Sequence, residues 1–269
     1  MSGSSRPTAP GAGAPALRST LAALVHAVTS VSGRGLGPTI APEMVPGLAF
    51  VAAAVAFLFA ESTLARATQR RRRELWDWTV ALALFGGAAT ALALGSSNGW
   101  DRGTYRLFFL LGAVLDVPWL ALGTVDLLLG PAAGRRAQWF VVFFSGLAGG
   151  VLLTAPLRPV AGTAIPVAGR VFGTFPRALA GIGSGVGATV ILVGAVVSAV
   201  RYARDRTRAG HAARAGANVL IAAGTLVLSS GGLVQGFVGH DQAFAATLAA
   251  GIVVIYAGFR VAGGTRVAA

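Results

Sequence analysis

The chain contains no cysteine and no lysine. The first absence removes disulfides, iron–sulfur clusters, thiolate zinc sites and thiol catalysis together. The second leaves all 22 basic residues as arginine. With the abundance of Ala and Gly, that points to a G+C-rich genome more than to selection for guanidinium chemistry. Charge is scarce altogether: 12% of residues are charged, where a soluble domain carries about a quarter. Of three histidines, His26 falls in the N-terminal segment, and His211 and His240 fall between apolar blocks. Haem ligation inside a bundle and a Ser–His intramembrane protease dyad therefore have no support.

What fills the sequence instead is apolar. Of its 269 residues, 55% are hydrophobic and the mean hydropathy is +0.71. These residues come in blocks of the roughly 20-residue length needed to cross a hydrocarbon core of about 30 Å. They do not alternate as in soluble strands or helices. Seven spans are expected, near 45–65, 77–97, 104–129, 138–156, 177–200, 215–234 and 242–260, making an all-α integral membrane bundle over 43–269. Residues 1–42, rich in Ser, Pro, Gly and Ala, are expected to be disordered, with Leu17, Leu21, Leu24, Val25, Val28 and Val31 at the spacing of a short amphipathic helix. A start codon placed too far upstream, with Met44 as the true start, is the other explanation of that extension.

The net charge of +13 would suggest nucleic acid in a soluble protein. Here the arginines sit between spans, where they set topology and meet anionic lipid headgroups, so no nucleic-acid partner is expected. Fourteen fall on the side of Arg66, Arg70–Arg73, Arg135, Arg136 and Arg201–Arg214, against eight on the other. Cytoplasmic loops carry the excess, which threads the N-terminus outside and the C-terminus inside.

The fifth span opens with GIGSGVGA, placing Gly181 and Gly185, and Gly183 and Gly187, four apart. With no preceding strand and no following lysine, this is a helix-packing motif and not a phosphate loop. LALGSSNG (92–99) and LVLSSGG (226–232) hint at spans 1–3 repeated as 5–7, although chance likeness in so Ala-, Leu- and Gly-rich a chain explains them as well. The outer connection 157–177, with Arg158, Arg170 and Arg177 among prolines, reads either as a solvated loop or as a stiff lid. Trp100 and Trp139 read as anchors at the membrane interface.

Three acids lie inside spans. A charge at mid-membrane costs about 2.5–3.5 kcal/mol on insertion scales. Glu61 and Asp126 are close enough to span ends to lean toward headgroups and pair with Arg66 or with Arg135 and Arg136. Asp116 is too deep for that. Gly112, Asp116 and Gly123 share one helix side, smooth enough for a neighbouring helix, which points Asp116 into the bundle. Pro118 removes a backbone donor, frees the carbonyl of Val114 and predicts a kink. Trp119, beside the acid, is packing or cavity wall. An acid, a freed carbonyl and a kink at one depth suit an ion or solute site; a protonated Asp116 tying two helices together suits them equally. Asp126 lies about 15 Å further along the axis, a second depth of one path. Thr124, Asn218, Ser229 and Ser230 are the candidate polar partners that could face Asp116.

A third span carrying Arg106, Asp116, Pro118 and Asp126 resembles that of the microbial rhodopsins. That family holds retinal on a lysine, and this chain has none, so retinal binding is excluded. With WDWTVALALFGG opening span 2 and VPWLALGTVDLLLG closing span 3, the chain is similar to uncharacterised multi-pass membrane proteins of G+C-rich bacteria, a resemblance that implies no activity.

The sequence therefore predicts a small transporter or channel-like protein of the cell membrane, without cofactor or metal, using Asp116, Asp126 and Glu61. The alternative is a non-enzymatic scaffold or accessory subunit, self-associating or holding a membrane-protein partner. An enzyme is not expected, since no complete catalytic set is present; gathering Asp116, Asp126 and Glu61 into one cluster would revive that reading.

Overall fold

The computed structural model describes residues 43–204, 220, 223–225, 227–228 and 241–264. The N-terminal segment to residue 42, His26, His211, Asn218, Ser229, Ser230, His240, most of the expected span at 215–234 and its half of the tentative repeat lie outside them. Six helices among the described residues are long and apolar enough to cross a membrane. They are α1 (Met44–Arg70), α2 (Arg73–Asn98), α3 (Arg102–Leu129), α4 (Pro131–Thr154), α6 (Thr174–Arg204) and α7 (Asp241–Gly264), with a one-turn helix α5 (Ala168–Val171) before α6. No β-strand occurs among the described residues, only an isolated bridge between Leu157 and Phe172.

Helix ends follow local chemistry. Pro46, Pro131 and Pro176 all fall in first turns, where a missing N–H costs nothing. Arg71, at φ 48°, stops α1 in a left-handed turn, and its N–H returns to the carbonyl of Ala67. Asp101 caps α3, accepting from the N–H groups of Gly103 (2.7 Å) and Thr104 (3.1 Å) and from the Thr104 hydroxyl. These bonds, the hydroxyl's foremost, hold its carboxyl below the ordinary value. The cap is complete at neutral pH and fades only as acid protonates the carboxylate.

Helices joined by short links, α1–α2, α2–α3 and α3–α4, pack as antiparallel neighbours, whereas α3 with α6 and α1 with α7 run parallel. α3 is the hub, packed against α2, α4 and α6, while α1 lies between α2 and α7. Without water to drive association, contact in lipid depends on close approach. The buried seam of α1 is accordingly alanine: Ala49, Ala52, Ala53, Ala56, Ala60 and Ala67. Side chains facing away are large and apolar, with Phe50 68% and Trp139 77% exposed. An outer surface of that kind is suited to acyl chains and not to water. Trp139 stands out as the anchor reading requires. Trp100 does not: it is 4% exposed, its indole seated over Gly95, where a Cβ would come within 2.5 Å of the ring. Its indole N–H donates to the carbonyl of Thr163 (3.3 Å), so it clamps a loop instead of meeting the interface.

The glycine motif of α6 splits in two. Gly183 lies against the carbonyl of Val114 and Gly187 against that of Val117, each 2.9 Å from where a Cβ would stand, whereas Gly181 and Gly185 have nothing within 4 Å. Isoleucine at 183 or 187 is therefore expected to lower stability by about 1–3 kcal/mol through overpacking. The same change at 181 or 185 is expected to be silent. Thermal denaturation of the four purified variants checks this.

Candidate functional site

The distortion expected at Pro118 takes the form of a π-helical segment, Phe109–Leu115, inside α3. The Asp116 N–H donates to the carbonyl of Leu111, five residues back. The wider turn exposes backbone oxygens, and Ser184 on α6 donates its hydroxyl to the carbonyl of Ala113 (2.6 Å). Such turns are often found at functional sites. Here one ends directly at Asp116.

The side that Gly112, Asp116 and Gly123 share by their spacing turns out to face α2: a Cβ on Gly112 would press on Ala88, and one on Gly123 would strike the Trp78 indole. Asp116 lies between two cavities, one on each side. The first, of about 190 Å³, is lined by Phe85, Ala88, Tyr105, Phe109, Gly112, Ala113 and Phe244 and roofed by Ile165–Ala168. The second, of about 110 Å³, runs toward the arginine-rich end past Thr63, Trp78, Leu120, Thr124 and Thr225. Asp116 and Phe85 line both. Each volume has room for several waters.

Asp116 has no hydrogen-bond or ion-pair partner among the described residues. Most other polar groups nearby are spent. Thr63 and Thr124 donate to carbonyls one turn back in their own helices (2.7 and 3.3 Å), as is usual for hydroxyls in membrane helices. The Tyr105 hydroxyl donates to the carbonyl of Pro166 (3.0 Å). That bond, the Trp100 clamp and an Ile165 N–H donated to Asp241 (2.7 Å) fasten the 156–173 segment over the first cavity. The outer connection is thus a fitted roof, with its own Ile165, Val171 and Phe172 buried.

No family model, curated protein or solved structure matches this chain. The site is therefore read from its own geometry.

The three acids singled out by sequence are not brought together. Glu61 is exposed on the outward face of α1, among Phe57, Leu58 and Leu64. Asp126 is buried at the arginine-rich end of α3, and its ion pair is with Arg73 (3.6 Å), from the first turn of α2, and not with Arg135 or Arg136. The two-residue link between α1 and α2 sets Arg73 at that end, closer to Asp126 than the exposed arginines of α4. Trp119 lines neither cavity; its indole N–H donates to Ser145 on α4 (3.2 Å). Pro118 is buried two residues beyond Asp116.

Two residues of the site went unremarked in the sequence. Phe85, a phenylalanine among many, becomes notable only because both cavities meet at it. Asp77, read as the edge of span 2, stands one turn inside α2, is 5% exposed and faces Asp126. The signal was an acid between two tryptophans, Trp76 and Trp78, which fix the interface depth on either side of it.

Proposed function

We propose that this is a small transporter or channel-like protein of a bacterial cell membrane, in which Asp116 binds a proton or small cation on its way through the bundle. The observation that carries the reading is the position of Asp116, without a partner among the described residues and open to a cavity on each side. A strut would be expected to hold a hydrogen bond to a neighbouring helix, and an unpaired acid at that depth is costly unless it serves a ligand.

Seven spans and the outside-to-inside threading belong to the same reading. Their support is that α6 runs toward the arginine-rich end, where Gly194 meets Thr124 and Leu128. α7 begins at the opposite end, where Asp241 meets Ile165, which is what an additional span between them would require. The arginine excess at Arg70–Arg73 and Arg135–Arg136 makes that end cytoplasmic and lets it bind anionic lipid headgroups. The scaffold reading, with a second copy or a membrane-protein partner, rests on the exposed Glu61.

A pH gradient across proteoliposomes separates the two readings. Transport predicts that the gradient decays faster than in protein-free liposomes, either alone or on adding one of a panel of small solutes. Equal decay under every condition favours the scaffold.

A further inference from the structure

A second polar site lies at the arginine-rich end, beyond the inner cavity. There α2 contributes Asp77 and α3 contributes Asp126, 5% and 7% exposed. Asp77 Oδ2 and both carboxyl oxygens of Asp126 are buried and accept no hydrogen bond. Arg73 does not supply the missing donor: its Nε stands 3.6 Å from Asp126 Oδ2, and its Nη2 is committed to Gln138 of α4 at 2.6 Å. From the third side α4 presents Gly134, where any side chain would collide with the Asp126 carboxyl group. On that side the enclosure is made by backbone.

Two facing carboxyl groups, three donorless acceptor oxygens and a single guanidinium leave one defined vacancy. Two full negative charges in contact and out of water are unfavourable, and buried acceptors are almost always satisfied. One proton held between the carboxyl groups corrects both faults, taking the pair from two negative charges to one, which Arg73 balances. A metal ion fits less well, because the guanidinium stands beside Asp126 and no group of three His, Cys, Asp or Glu among the described residues is arranged to hold one. The other charged groups of this end include, among the described residues, Glu74, paired with Arg72 (2.5 Å), Arg66 over the Phe259 ring, and the exposed Arg70, Arg71, Arg135, Arg136 and Arg260.

We propose that Asp77 and Asp126 share one proton and form the inner station of the path that begins at Asp116. The inner cavity ends on Trp78 and Thr124, one and two residues from the pair, so water there can pass a proton from Asp116 toward it. Release then occurs to bulk water at the arginine-rich surface. The role in a path rests on the transport reading; the shared proton does not.

The test uses dicyclohexylcarbodiimide, which enters membranes and forms a stable adduct on protonated carboxyl groups in apolar surroundings. Labelled sites are mapped by peptide mass spectrometry on the full chain in native membranes at neutral pH. Label is expected at Asp77 or Asp126 of the natural protein. In Asp77→Asn, label at Asp126 is expected to fall at least about tenfold, because the amide supplies donors and Asp126 remains ionised beside Arg73. The natural protein alone decides the matter should that variant misfold: no label at either member of the pair overturns the proposal, as does label at Asp126 unchanged by a folded Asp77→Asn. Label at the pair together with transport indifferent to Asp116→Asn supports the shared proton and sinks the transport reading. Transport lost in Asp116→Asn, with the pair unlabelled, does the reverse.

Discussion

Asp116→Asn is expected to lower flux through the protein by about a hundredfold while leaving it folded. The carboxylate at this depth costs about 2.5–3.5 kcal/mol, which a bound proton or cation relieves. A neutral amide has nothing to relieve, so that share of the binding energy is lost, at tenfold per 1.36 kcal/mol. Asparagine keeps the shape of the side chain, and no hydrogen bond of Asp116 among the described residues is sacrificed. Thermal stability should therefore be unchanged or raised. The scaffold reading expects the opposite pair of results, a weaker bundle and no change in flux. Flux assays on proteoliposomes, beside a melting curve of the same preparation, decide between them.

Phe85→Ala is expected to open a passive leak about tenfold above that of the natural protein, as removal of an apolar constriction allows wetting. Phe85 lines both cavities and is buried in the α1–α2–α7 core with Phe59, Leu82 and Ile252. Deleting its ring removes the part of the wall that Asp116 does not occupy. Truncating a buried Phe costs about 3–5 kcal/mol, so Phe85→Leu, which keeps most of the volume, should leak less and remain the more stable of the two. Phe50→Ala, on the lipid-facing side of α1, should leave the leak unchanged. Decay of a pH gradient in liposomes carrying each variant measures all three.

Much of the scaffold was legible because lipid imposes a simple rule: the backbone must satisfy itself, and only helices of sufficient apolar length do so. The six helices lie close to the expected spans and run past them into arginine-bearing ends, since arginine is a good helix former. The side of α3 shared by Gly112, Asp116 and Gly123 was also legible, because helical spacing fixes which residues share a face. What faces that side was not. Gly181 and Gly183 look alike in sequence, yet only Gly183 meets α3, because spacing gives relative angles and not the direction of the neighbour. Pro118 announced a break in hydrogen bonding but not its form, for a kink and a π turn both accommodate a missing donor. Asp77 looked like a boundary residue because span ends drawn from hydropathy shift by a turn, and one turn separates a headgroup position from a buried one. Trp100 looked like an anchor because a tryptophan at a span end is one more often than not; the slot left by Gly95 came from another turn of the chain.

Transport through Asp116 requires that water reaches it. The natural absence of cysteine gives a clean background, so a single Asp116→Cys change can be probed with a membrane-impermeant thiol reagent in intact cells and in inverted vesicles. Ala161, exposed in the outer connection, and Arg136, exposed on α4, serve as the reporters of sidedness when changed to cysteine. Labelling of position 161 from outside, 136 from inside and 116 from at least one side is the predicted result. Labelling of both reporters with position 116 unreactive from either side would contradict the account.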